Sequence, residues 1–310
     1  MREHPTTTQF ARTTDLQECP KRVLITGASG QLGLALSRRL ALSHEVIAVS
    51  RGQLDVANAD DCRQLLARVR PDFVLNCAAH TAVDRAESEP EAAFSINADG
   101  PRNLGRACRE FGVFPIHFST DYVFDGTANA PYSEDAATKP TSVYGESKLT
   151  GERALAEASP AHLIFRLSWV YGNDGANFYK TMLRLGADRP LLRVVADQVG
   201  VPNYTGDLAD AIACVLARNT RELVSRSGLY HLSSVGPVSW CDFARAIFLE
   251  AHMSDRATVE AITTSEYPTA ATRPGYSVLN ARRFAATFGW EMPDWRSGLR
   301  RCLAERNLSR

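Results

Sequence analysis

The stretch TGASGQLG, from Thr26 to Gly33, follows the apolar run Val23-Leu24-Ile25 and leads into apolar residues at Leu32, Leu36 and Leu40. That order predicts a short buried strand, a glycine loop and a helix. A loop of this kind turns backbone amides and the positive end of the helix toward an anion. In such a loop Gly27 permits the sharp turn, Gly30 lets a pyrophosphate approach without a Cβ in its way, and Gly33 allows close packing of helix on strand. A glycine triplet alone also serves a plain turn. With strand, loop and helix each where a dinucleotide site requires them, the binding role is favoured.

The pattern continues along the chain. Strands are expected over "EVIAVS", "DFVLNCAA", "FPIHFS" and "HLIFRLS". Helices are expected over "NADDCRQLLARVR", from Ser88 as a cap to Gly112, and over "GESKLTGERALAEA". Near-continuously apolar strands alternating with helices predict an α/β fold: a doubly wound parallel sheet, Rossmann-type, covered on both faces. Beyond residue 170 the segments shorten and become irregular, so a smaller α/β substrate lobe is expected. The division is a flexible N-terminal extension at residues 1–20, a dinucleotide-binding domain at 21–170, and a substrate lobe over 171–310. Part of 200–235 is a candidate to rejoin the first domain.

Charge narrows the partners. The chain has 35 basic and 35 acidic residues, which argues against nucleic acid or an anionic membrane. It has no run of eighteen apolar residues. The Thr-rich start has no apolar segment of signal-peptide type. Seven cysteines without a C-x-x-C pair suggest reduced thiols and a cytoplasmic location. The seven histidines show no ligand spacing, and no metal is expected.

Chemistry is expected further on. Thr120 falls at the carboxyl end of the strand "FPIHFS", where open α/β sheets bind ligands. Tyr144 and Lys148 stand four apart at the start of a helix, hence on one face. An ammonium beside a phenol stabilises the phenolate, and a threonine hydroxyl can bond the same oxygen that the tyrosine protonates. Together they form a proton relay suited to a nicotinamide. After the second strand, Arg51 is placed to meet a ribose 2′-phosphate, which favours NADPH, with NADH as the other option. Asp55 lies slightly later, toward the adenine side.

These features, with "AAHTAVDRAESEP", "STDYVFDG", "VYGESKLTGE", "FRLSWVYG" and "MPDW", resemble the extended short-chain dehydrogenase/reductase superfamily. Within it the chain is similar to the dTDP-4-dehydrorhamnose reductase family over roughly residues 22 to 305. The resemblance implies reduction of the C4 ketone of dTDP-6-deoxy-L-lyxo-4-hexulose to dTDP-L-rhamnose. It implies Tyr144 as proton donor, Lys148 as its electrostatic partner and ribose anchor, and Thr120 as the hydroxyl that polarises the ketone. Ser29, Gln31 and Leu32 join the glycine loop around the cofactor, with Val56 beside Asp55 and with Cys77, Ala78 and Ala79. Thr81 and Val83 would form the wall between cofactor and sugar. Asp121 and Trp169 would face the sugar, with Arg273 near the diphosphate and Asn177 and Gln198 as weaker candidates. Where some family members carry a metal-ligating glutamate, this chain has Ala35, so a metal-independent monomer or weak homodimer is expected. Alternatives stay open: a reductase of the same 4-keto sugar with opposite facial selectivity, an epimerase using tightly held NAD, and a non-catalytic NADP-binding regulatory subunit resembling that of methionine adenosyltransferase.

Overall fold

A computed structural model describes residues 20–308; apart from Pro20, the extension expected at residues 1–20 lies outside them. Five strands are laid down first: β1 (Arg22–Thr26), β2 (Glu45–Val49), β3 (Phe73–Asn76), β4 (Phe114–Thr120) and β5 (Leu163–Leu167). A sixth, Gly228–His231, joins the outer edge of β5. Their spatial order is β2-β1-β3-β4-β5 and then this sixth strand, with every pairing parallel. The winding reverses beside β1, the place where such sheets open a crevice at their carboxyl ends.

Helices cover both faces. On one, Val23, Ile25, Ile116 and Phe165 pack against Leu36 and Leu40 of α1 (Gln31–Leu40). On the other, Leu24 and Val74 meet Leu65 and Leu66 of α2 (Ala59–Val69). Burial on both sides accounts for the apolar strands, and each such side chain contributes about 1.5–3 kcal/mol.

The helix expected from Ser88 to Gly112 is divided. Its parts are α3 (Val83–Ser88), α4 (Pro90–Phe94), a π-helical turn over Ser95–Asp99, and α5 (Gly100–Phe111) closed by Gly112. Ser88 does not cap: Pro90 takes the first helical position, so Glu89 falls at the cap, and the Ser88 hydroxyl donates to the Arg85 carbonyl. The π turn carries buried Asn97, whose amide accepts from the His80 N–H at 2.8 Å and donates to the His80 carbonyl at 3.1 Å. These bonds to a distant segment are absent from the local periodicity.

Then come α6 (Val143–Ala158), α7 (Phe178–Asp188) and α8 (Thr205–Leu216). Leu208 and Ile212 of α8 lie on the first sheet face beside α1. A second core, rich in Tyr171, Tyr179, Phe243, Phe248 and Trp295, gathers α7, the helix Trp240–Glu250 and the parallel pair Leu191–Val195 with Thr258–Ile262. Among the described residues, no helix is long and apolar enough to cross a membrane.

Candidate active site

A cavity of about 680 Å³ opens at the carboxyl ends of β1, β3, β4 and β5. It is lined by Gly27, Ser29, Gly30, Gln31, Leu32, Gly33, Arg51, Asp55 and Val56 on one side. Cys77, Ala78, Ala79, Thr81, Val83, Thr120, Asp121, Tyr144, Lys148 and Trp169 line the rest of it.

The glycine loop serves packing first. Gly27 has φ +61°, and a Cβ there would lie 2.6 Å from the Ala78 nitrogen. A Cβ at Gly33 would lie 2.6 Å from the Gly27 carbonyl. Both glycines are therefore required whether or not an anion binds. Gly30 is the N-cap of α1 and offers no side-chain hydrogen bond to its first turn. Uncapped amides at the positive end of a helix, facing the cavity, fit a dinucleotide's pyrophosphate.

The catalytic candidates converge from two elements. Ser142 caps α6 by accepting from the Gly145 N–H at 3.2 Å, and Glu87 accepts from the Val143 N–H at 2.9 Å. Tyr144 and Lys148 then follow one turn apart on the buried side. Burial pushes the Tyr144 phenol up to about 12, while the Thr120 hydroxyl beside it acts in the opposite sense. Lys148 is 2% exposed; burial lowers it to about 8, against the attraction of Glu152. Its Nζ donates to the Phe118 carbonyl at 2.6 Å. Thr120 also caps the short turn after β4, accepting from the Tyr122 N–H at 3.2 Å, and donates to Asp121 Oδ1 at 3.0 Å. Asp121 is pushed up to about 6 by burial, with the Ser277 and Thr120 hydroxyls acting in the opposite sense, and its Oδ2 has no partner within hydrogen-bond distance.

Three expected residues sit elsewhere. Asn177 caps α7, accepting from the Lys180 N–H at 3.0 Å, and donates to the Gly172 carbonyl and to Gln31 Oε1. Arg273 forms a bidentate pair with Asp84 at 3.0 and 2.6 Å. Gln198 likewise lies off the cavity and donates to the Thr264 hydroxyl at 3.1 Å.

Other lining residues escaped the sequence reading, chiefly Tyr122, Phe178 and Trp240. Trp240 stacks on Trp169 with ring centroids 3.4 Å apart and planes 7° apart. Trp169 holds φ +41°, a costly backbone for a bulky residue that the stack helps to retain. Tyr122 meets Tyr144 edge to face at 5.6 Å. The signal available for it was its place two residues after Thr120; for Trp240 there was none beyond its residue type.

A parallel doubly wound sheet, an uncapped helix at its switch point and a Tyr–Lys–Thr cluster in one cavity define a class: the Rossmann-type reductases and epimerases. Comparison with known proteins narrows this. Residues 21–308 match the family model described as RmlD substrate binding domain. A dTDP-4-dehydrorhamnose reductase of Salmonella typhimurium is 43% identical over 293 residues, 91% of this chain and 97% of that protein. One from Burkholderia thailandensis is 40% identical, covering 92% and 98%. The crystal structure of the Bacillus anthracis dTDP-4-dehydrorhamnose reductase in complex with NADP has a TM-score of 0.88 at 38% identity, covering 92% of this chain and 99% of that one. The chain belongs to the dTDP-4-dehydrorhamnose reductase family.

Proposed function

We propose that this protein reduces the C4 ketone of dTDP-6-deoxy-L-lyxo-4-hexulose to dTDP-L-rhamnose, with NADPH as the preferred cofactor and NADH as a poorer one. When bound, the nicotinamide supplies the hydride. The first turn of α1 would hold the pyrophosphate, and Arg51, which lines the cavity, would meet a 2′-phosphate. Tyr144, kept protonated by burial, delivers its proton to the ketone oxygen as negative charge develops there. Thr120 turns the hydroxyl proton it gives Asp121 toward that oxygen, and the Lys148 ammonium stabilises the phenolate left behind. Asp121 Oδ2, without a partner, accepts from a sugar hydroxyl, and Trp169 backed by Trp240 presents an aromatic face to the ring. The observation that carries this is the convergence of Tyr144, Lys148 and Thr120 on the cavity that the α1 amides also face. The enzyme would work in the cytoplasm, without a metal, as a monomer or weak homodimer; its six described cysteines are free thiols.

The test supplies NADPH, then NADH, with the 4-keto sugar made in situ, and follows loss of reduced-nicotinamide absorbance while the product is identified by NMR. Tyr144→Phe should lower kcat by roughly 10²–10⁴-fold with cofactor binding retained. The C4 epimer as product would overturn the assigned sugar orientation. Cofactor binding without turnover would favour a regulatory, non-catalytic role.

A further inference from the structure

Three side chains in register across the sheet form a polar row in a layer that is otherwise apolar. Thr26 on β1 stands opposite Asn76 on β3, which stands opposite His117 on β4. All three are buried, His117 to 1% exposure. Thr26 Oγ1 donates to Asn76 Oδ1 at 2.7 Å, and the Ala78 N–H donates to the same oxygen at 3.2 Å. A backbone N–H can only donate, so the oxygen of the Asn76 amide is fixed on that side and its nitrogen faces His117 Nδ1, 3.1 Å away. With the amide nitrogen donating, Nδ1 accepts, while the Asn76 backbone carbonyl, which also bears on the ring, acts in the opposite sense by favouring its protonated form. Burial and the neighbouring Lys148 keep His117 neutral, so its one proton sits on Nε2. That N–H points at Lys148 Nζ, 3.3 Å away.

An ammonium has no lone pair, so it cannot receive this proton; an amine can, while still donating to Phe118. We propose that His117 is a positioning residue for Lys148: held in its Nε2–H form by Asn76, it favours the amine over the ammonium and sets the pH above which Lys148 ceases to support Tyr144. This rests on the role of Lys148 in the reaction proposed above. The other groups bearing on Lys148 are Cys77 from the loop after β3, a thiol that burial keeps protonated, and Glu152 one turn along α6. Glu152 favours the ammonium but is shared with Arg166 of β5 and Ser119 of β4. His162, before β5, also bears on His117. Because the row starts at the Ala78 amide, in the cavity wall, it ties the cofactor-side loop to the protonation of Lys148.

The test follows the Lys148 Cε signal by NMR in cofactor-free protein carrying isotopically labelled lysine, assigned with Lys148→Arg. His117→Gln can present a carbonyl to the ammonium. Asn76→Asp keeps the bonds to Thr26 and Ala78 but accepts from Nδ1, which frees Nε2 to accept from Lys148. Both variants should move the titration of Lys148 upward by about one pH unit or more. The alkaline limb of kcat should move with it, with less change in KM for NADPH. Titration unchanged in a variant whose circular dichroism and melting match the parent would overturn the proposal; Asn76→Asp keeps that test open where His117→Gln fails to fold. A shifted titration in a protein that shows no turnover would support the coupling while refuting the proposed reaction.

Discussion

Replacing Lys148 by methionine keeps much of the side-chain length and removes a charge held at 2% exposure. Burial lowers this lysine from 10.5 to about 8. Between those values the folded protein binds fewer protons at this site than the unfolded chain, so raising the pH there favours folding. The difference, 10.5 less 8, corresponds to about 3 kcal/mol at 1.36 kcal/mol per pH unit. Below pH 8 both states carry the ammonium and the folded state bears the whole desolvation cost. Above 10.5 both carry the amine and that cost is absent. The methionine variant lacks this dependence, while its lost bond to the Phe118 carbonyl imposes a constant offset of about 1–3 kcal/mol. Relative to the variant, the parent should therefore gain about 3 kcal/mol between pH 8 and 10.5. Urea unfolding of both proteins, without cofactor and at matched pH, measures this from the midpoints provided the slopes agree. A stability difference that stays constant across the range would refute the reasoning.

Arg166 and Glu152 form a bidentate pair at 2.8 and 2.7 Å with side chains only 4% and 5% exposed. Arg166→Met leaves the buried Glu152 carboxylate with only the Ser119 hydroxyl and the Lys148 charge nearby and should cost about 3–5 kcal/mol of stability; a loss below about 1 kcal/mol, the value of an exposed pair, would contradict the burial argument. In Gly151→Ala the new Cβ would lie 1.9 Å from the Asn97 carbonyl oxygen, so α6 must move off the π turn. Expected are a loss of about 1–3 kcal/mol in melting and a fall in kcat, because Tyr144 and Lys148 ride on that helix. Parent-like values of both would mean that this contact does not position the pair.

Local signals made much of this legible. The strand, glycine loop and α1 follow from spacing alone, as do Tyr144 and Lys148 on one face of α6, and Thr120 at a strand end. What stayed hidden depends on partners far away in the chain. Trp240 meets Trp169 from a helix some seventy residues later that packs on the second core, and no periodicity connects them. Arg273 reads as a free cation until Asp84, on α3, is beside it. His117 reads as one residue of an apolar strand, and only parallel registration reveals Asn76 next to it. The break at Glu89 and the π turn were missed because proline placement and the Asn97 bonds, not hydrophobic period, decide them.

The sixth strand, Gly228–His231, has a consequence for biosynthesis. A nascent chain that has emerged as far as β5 already holds five strands of the sheet, yet the outer edge of β5 has no neighbour until this later segment appears. The face beside α1 likewise waits for α8. During that interval an apolar, hydrogen-bonding edge is open to other chains. Truncations that stop short of residue 228 should therefore yield aggregates rather than a free-standing nucleotide-binding half, and growth conditions that slow synthesis across 171–227 should lower the soluble yield.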